Sequence, residues 1–380
     1  MSGKLAVIGG GQLARMMQQA AIGLHVVLRL LAESPDVSAA QVIPDHVVGD
    51  HTNLDDLRSV AEGATVITFD HEHVPPEHLR TLQDEGHACR PGPHALIYAQ
   101  DKVAMRDRLA ALGVPVPAHR VVSTPAELDA FADSVVGGYP VVVKTARGGY
   151  DGKGVWIVED AGEAAEAFAT GKTLLAEELV FFTRELSAQV ARRPSGQTVT
   201  YPVVESRQLG GICKEVVAPA PDLDLGLGHQ AQEIAVTIAK ELDVTGMLAV
   251  ELFETADGRI LVNELAMRPH NTGHWTIEGA DTSQFENHLR AVLDLPLGPT
   301  EPRDDWAAMV NILGGTVEDL EAQRAVVLER VPEAHIHLYG KAVKPGRKVG
   351  HVTVTGDNLA ETIGRARRAA DLFERGSTHG

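Results

Sequence analysis

Aromatic side chains make up only 4% of this 380-residue chain, and cysteine occurs twice. So few rings leave few platforms on which the bases of a nucleic acid could stack. Cations are also in short supply. The 34 Lys and Arg against 52 Asp and Glu leave a net charge of −18, which repels a polyphosphate backbone and excludes nucleic acid as an expected partner. Cys89 and Cys213 are far apart and form no Cys-x-x-Cys, so neither a disulfide framework nor a zinc ribbon is indicated and a cytoplasmic location is expected. Nowhere do about eighteen apolar residues run together, so no membrane span is predicted. The first apolar run is cut at Gly9-Gly-Gly-Gln12, which does not fit a signal peptide. Apolar residues, at 44%, suffice for two or three domains with their own cores.

The most distinctive stretch is Lys144 to Gly154. Tyr139-Pro-Val-Val-Val143 before it is an apolar, β-branched run that predicts a buried strand delivering Lys144 at its end. Four of the seven residues from Gly148 to Gly154 are glycine, which lets backbone N–H groups approach an anion. Val155-Trp-Ile-Val158 then resumes as a strand. A strand, a Gly-rich loop and a second strand is not a Walker P-loop, which opens a helix; it reads as a lid over phosphates.

From Lys4 to about residue 95, apolar strands alternate with helical stripes, which predicts a parallel, doubly wound sheet. Gly9-x-Gly11-x-x-Ala14, with Glu33 at a suitable distance, satisfies the dinucleotide fingerprint, so a nicotinamide oxidoreductase must be weighed. The same glycines suit any helix N-terminus that faces an anion. Asp101 to Gly113 reads as an amphipathic helix, and Glu177-Glu-Leu-Val180 as a strand end that is either a solvated turn or an adenine contact.

Asp257-Gly258 is a strong hairpin signal between Met247–Glu254 and Arg259–Leu265. A two-residue loop pairs position 256 with 259 and sets Glu251 opposite Glu264. Facing carboxylates on apolar strands destabilise one another unless a cation lies between, and a hard dication such as Mg²⁺ shared with phosphates resolves the conflict. Arg268-Pro-His-Asn-Thr-Gly-His-Trp275 follows directly. Pro269 and Gly273 oppose the helix that a His270/His274 zinc pair would need, whereas Arg268, Asn271 and a histidine suit a carboxylate or bicarbonate. Further on, Lys341, Lys344, Arg347 and Lys348 place four cations in eight residues, a solvated hairpin tip unless the fold brings it over an anion.

Taken together, Gly9-Gly-Gly-Gln-Leu-Ala-Arg-Met16, Asp101-Lys102, Lys144 to Gly154, Glu251, Asn263-Glu264, Arg268 to Trp275 and Tyr339-Gly-Lys to Gly346-Arg-Lys348 resemble the ATP-grasp superfamily. Within it they are similar to the 5-(carboxyamino)imidazole ribonucleotide synthases of purine biosynthesis. The resemblance spans nearly the whole chain. It implies α/β and α+β architecture: a doubly wound preATP-grasp domain over 1–98, an ATP-grasp domain over 99–295 and a small β-rich domain with a terminal helix over 296–380. It also implies that ATP, bicarbonate and 5-aminoimidazole ribonucleotide are the small-molecule substrates, with Mg²⁺ or Mn²⁺ as cofactor, and that the protein is a homodimer.

By the same resemblance, Lys102 and Lys144 contact ATP phosphates under the lid residues Gly149, Tyr150, Asp151, Gly152, Lys153 and Gly154. Glu177, Glu178, Leu179 and Val180 hold adenine, Glu185 the ribose, and Asn263 with Glu264 complete the ATP site. Glu251 and Glu264 carry the metal, and Lys144, Arg268, His270 and Asn271 act on bicarbonate and the phosphoryl group. Gln12, Leu13, Asp70, Glu72, Tyr150, Lys153, Lys341 and Arg347 face the aminoimidazole nucleotide. Ala14, Met267 and Gln208 depart from the family pattern. A formate-using ATP-grasp ligase such as glycinamide ribonucleotide transformylase is the nearest alternative, and bicarbonate dependence separates the two.

Overall fold

The computed structural model describes residues 4–148 and 153–376. Gly149, Tyr150, Asp151 and Gly152 of the expected lid lie outside the described residues. The alternation near the N-terminus gives a five-stranded, wholly parallel sheet in the order His46–Val48, Val27–Ala32, Lys4–Ile8, Ala64–Phe69, Ala88–Cys89. Its first helix, Gln12–Gly23, buries the stripe Leu13, Met16, Met17 and Ala21 against the sheet. The helix Leu54–Ala61 starts where Asn53 Oδ1 accepts from the N–H groups of Asp55 and Asp56.

The second sheet is small and antiparallel: His119–Val122, Leu174–Glu178, Val141–Thr145, Val155–Val158. It carries Lys144 on a strand buried along its whole length. The third is antiparallel throughout and large, running Ile260–Ala266, Gly246–Thr255, Phe182–Arg192, Val204–Leu209, Ile212–Ala218, Trp306–Leu313, Lys348–Gly356, His335–Leu338. The pairing of Glu215 with Val310 joins strands on either side of the Pro296-Leu-Gly-Pro299 segment in one continuous sheet. The last helix, Leu359–Arg375, is not a free surface helix. It buries Ile363, Ala366, Ala369, Ala370, Leu372 and Phe373 against that sheet.

The hairpin differs from expectation in a way that matters for the site. Thr255, not Ala256, bonds across to Arg259, so three residues form the loop. Near the loop the pairs are Glu254 with Ile260 and Leu252 with Val262, one residue out of the expected register. A β-bulge at Asn263 inserts the compensating residue, and Glu251 faces Glu264 as expected.

Candidate active site

A cleft of about 1040 Å³ is lined by strands of the second and third sheets and, from the first domain, by the start of the helix Gln12–Gly23 and the segment 70–77. On its floor stand Glu251 and Glu264. Burial, then the charges of Glu264 and Glu185, hold the Glu251 carboxyl well above the usual carboxylate range. Burial likewise lifts Glu185, on the neighbouring strand, to about 7. Glu251 Oε1 lies 3.3 Å from His270 Nε2, and Glu264 Oε1 lies 3.3 Å from Lys102 Nζ. Among the described residues no three His, Cys, Asp or Glu side chains form a metal cage. A hard cation at this pair would take its remaining oxygens from a ligand.

Lys144 reaches the same floor through a buried ion network that the sequence did not reveal. Its Nζ is 2.7 Å from Glu177 Oε2 and donates to Asn263 Oδ1 at 3.4 Å, leaving one of its three protons for the cleft. The bulge is what turns Asn263 toward it. Glu177, 2% exposed, is not a solvated turn: Arg106 Nε donates to its Oε1 at 2.6 Å. Burial pushes this carboxyl up, but Arg106 and Lys144 more than reverse that and hold it at about 2. Arg106 was missed, although Lys102, Met105, Arg106 and Leu109 stand on one helical stripe, so a cation inside an apolar face was the available signal. Glu178, Leu179 and Val180 line the cleft beside Glu177.

The segment after the hairpin packs as a short 3₁₀ turn at Asn271–Gly273, not an α-helix. His270 Nε2 faces Glu251 while the His274 ring packs on His351 at 4.9 Å, so the two imidazoles do not share a metal. Burial, then Arg268, keeps His270 neutral, its pKa well below the ordinary value. Arg268 Nε donates to Glu72 Oε2 at 2.7 Å, and Glu72 Oε1 accepts from Met267 N at 3.0 Å. Asn271 Oδ1 is buried without a hydrogen-bond partner beside this fork, an acceptor that a ligand in the cleft could satisfy.

The dinucleotide fingerprint has a different occupant from the one a nicotinamide cofactor requires. Asp70 Oδ2 accepts from Gly11 N at 3.1 Å and Oδ1 from Ala14 N at 2.8 Å, so the helix N-terminus already faces a carboxylate of the protein. A Cβ on Gly11 would lie 2.2 Å from Asp70 Oδ2, which is why glycine stands there. Glu33 is spent on Gly10 N at 3.1 Å. The oxidoreductase alternative loses its pyrophosphate site.

Gln12 Oε1 accepts from Lys341 Nζ, which brings the cation cluster over the first domain. Lys341, Arg347 and Lys348 all line the cleft, and burial lowers the Lys341 pKa there against the opposing charge of Asp70. Lys341 is half-buried and held by Gln12, whereas Arg347 is exposed in the turn and donates from Nη1 to Ala342 O at 3.3 Å. Leu13, 5% exposed, belongs mainly to the core of the first domain. Lys153 is exposed and Gly154 accepts from Thr145 N, both outside the cleft lining. His71 and His73 at the cleft rim, stacked at 5.1 Å, were not anticipated.

A cleft with a cationic strand end, an acidic hairpin and a glycine-rich connection between two strands defines an ATP-grasp enzyme, and the ATP-grasp domain family matches residues 107–285. The ribonucleotide synthetase preATP-grasp domain matches residues 2–100 and the phosphoribosylaminoimidazole carboxylase C-terminal domain residues 307–365. The chain is 52% identical over 379 residues to the N5-carboxyaminoimidazole ribonucleotide synthase of Mycobacterium tuberculosis, covering 98% of this chain and 88% of that one. The crystal structure of the Thermus thermophilus N5-carboxyaminoimidazole ribonucleotide synthetase superimposes with a TM-score of 0.88 at 40% identity, covering 98% of both chains. That of the Aspergillus clavatus synthase in complex with ADP and 5-aminoimidazole ribonucleotide gives 0.89 at 34% identity, also with 98% of each chain covered. This chain belongs to the N5-carboxyaminoimidazole ribonucleotide synthase family, ATP-dependent ligases of purine biosynthesis.

Proposed function

We propose that the cleft carboxylates 5-aminoimidazole ribonucleotide with bicarbonate, converting ATP to ADP and phosphate through a carboxyphosphate intermediate. The observation that carries this reading is the convergence on one floor of Lys144, the Glu251/Glu264 pair, the Arg268 fork and the Lys341/Arg347 cations. These come from three separate stretches of sequence, at 144, 251–268 and 341–347. Arg268 and Asn271 would hold bicarbonate in line with the γ-phosphoryl group, and neutral His270 would donate a hydrogen bond without adding a competing charge. Lys144, fixed by Glu177, would offset charge on the transferring group. Glu251 and Glu264 are the residues that would hold Mg²⁺ or Mn²⁺, which when bound neutralises phosphate charge. A closing lid over 148–154 would exclude water from an intermediate that hydrolyses readily. We assign domains 1–98, 99–295 and 296–380 to these parts, in a cytoplasmic homodimer that sedimentation of the purified protein would test. The direct assay is phosphate release from ATP, which should require bicarbonate and rise with the aminoimidazole nucleotide. Stimulation by formate instead would overturn it.

Arg268→Ala should lower bicarbonate-dependent ATP cleavage ~10- to 100-fold, the equivalent of a ~1.5–3 kcal/mol hydrogen bond to a charged group. It should leave KM for ATP nearly unchanged, since Glu72 and Asn271 bound this end of the cleft. An equal fall in ATP affinity would remove Arg268 from the bicarbonate site.

Arg347→Ala should raise KM for the aminoimidazole nucleotide by a factor matching ~1.5–3 kcal/mol with a smaller change in kcat. A phosphate contact remote from the reacting atoms is made equally in ground and transition states. If neither Arg347→Ala nor Lys341→Ala moves that KM, the cluster does not bind the monoester.

A further inference from the structure

Behind the cleft a group of buried rings joins the loop that carries Arg268 and His270 to the segment that carries Lys341. His274, Tyr339 and His351 are each fully buried and none of them lines the cleft. His351 Nδ1 lies 2.7 Å from the Tyr339 hydroxyl. The His351 ring stacks on His337 with centroids 4.5 Å apart and 12° between planes, and packs on His274 at 4.9 Å. His337 is in turn anchored by Glu278 at 2.7 Å. On the other side, His274 Nδ1 lies 3.1 Å from Gln284 Nε2, and the same amide group holds His270 by its backbone N at 2.9 Å and its O at 2.8 Å. One imidazole therefore touches the supports of both arms of the site.

The chain leaves Tyr339 with little freedom. Its N–H donates to Val349 O at 2.9 Å and its carbonyl accepts from Ser38 Oγ at 2.6 Å. Gly340 has φ +63°, and a Cβ there would meet Gln41 Oε1 at 2.0 Å, so the turn toward Lys341 is set by close packing. The Lys341 ammonium then lies over the Tyr339 ring, 5.6 Å from its centroid. The ring is thus a wall for the cation, and the hydroxyl bond to His351 fixes that wall.

We propose that His351 is a positioning residue for the aminoimidazole nucleotide: through the Tyr339 hydroxyl and the His274 ring it fixes the spacing between the Lys341 ammonium and the Arg268–His270 loop. This rests on the assignment of Lys341 to that nucleotide. His351→Phe keeps a ring in the stack and removes the imidazole end of the bond, and Tyr339→Phe removes the hydroxyl end. Each should raise KM for the aminoimidazole nucleotide about 10-fold, within the range that a misplacement of about 1 Å produces, with KM for ATP unchanged. In a Lys341→Ala background His351→Phe should add nothing to that KM, because it acts through the cation already removed.

Parental KM in both ring variants, while Lys341→Ala raises it, would overturn the role of His351 and leave Lys341 in place. An unchanged KM in Lys341→Ala would overturn the underlying reading and the proposal with it. Effects of His351→Phe and Lys341→Ala that simply add, or KM values for ATP and nucleotide that rise together, would mark a merely structural ring and also overturn it. Should His351→Phe fail to fold, Tyr339→Phe, which loses one hydroxyl, decides alone.

Discussion

Glu251→Gln or Glu264→Gln should reduce ATP turnover by at least ~10²-fold, on the scale of removing one preorganised electrostatic group, and should not destabilise the metal-free protein. Two carboxylates face each other across the hairpin, and Glu251 is held well above the usual carboxylate range by burial, then by Glu264 and Glu185. Neutralising one partner removes like-charge repulsion, so the apo variant should melt at or above the parent. In Glu251→Gln the side-chain amide oxygen can still accept from His270. The pH dependence has a definite sign. A carboxyl whose folded pKa is raised keeps a proton that the unfolded chain releases above ~4.3, so its contribution is present in acid and lost as pH rises toward the folded value. Thermal melts of the metal-free parent should therefore fall over that window, and Glu251→Gln should flatten the fall. A variant that melts markedly lower without metal, yet still turns over ATP, would sink the paired-carboxylate reading.

That facing pair was legible in the sequence for partly compensating reasons. The Asp257-Gly258 signal located the hairpin, but the loop has three residues, and only the extra residue at the Asn263 bulge returns Glu251 and Glu264 to opposition. Ile260–Ala266 is buried at every position except Asn263 and Glu264, so it offers no alternation whose phase a bulge could break. The parallel first sheet was readable because a helical stripe follows every strand except Val27–Ala32, which runs on to His46–Val48 without a helix. The helix Leu225–Glu241 was not read: glycines at positions 226 and 228 occupy its first turn, and the buried stripe begins only at Ala231, then Ile234, Ala235 and Ile238. The continuity of the large sheet depends on contacts such as Glu215 with Val310, which no local pattern encodes. Residues that line the cleft were legible where a motif carried them. Those that act through burial, Arg106 above all, became visible only once the fold showed what surrounds them.

Arg106→Met is expected to cost about 3–5 kcal/mol of stability, the scale for breaking a buried ion pair from one side, and to raise KM for ATP as well. Arg106 is 1% exposed and Glu177 2% exposed, so water cannot replace the lost cation. Among the described residues Lys144 would remain as the one cation on Glu177, drawn from the phosphates it is placed to meet. The variant also loses the bond from Arg106 Nη1 to Val262 O at 3.1 Å, which ties the helix Lys102–Ala111 to the strand just before the Asn263 bulge. Arg106→Met combined with Glu177→Gln separates the two effects. With Arg106 and Glu177 both uncharged, the buried Lys144 loses its carboxylate partner, so the stability should return only in part. Turnover should not return, since Lys144 has lost the carboxylate that aims it. Thermal melts and KM for ATP on both variants check this. A single variant that melts with the parent, or a double variant that regains full activity, would show that the buried triad neither supports the fold nor positions Lys144.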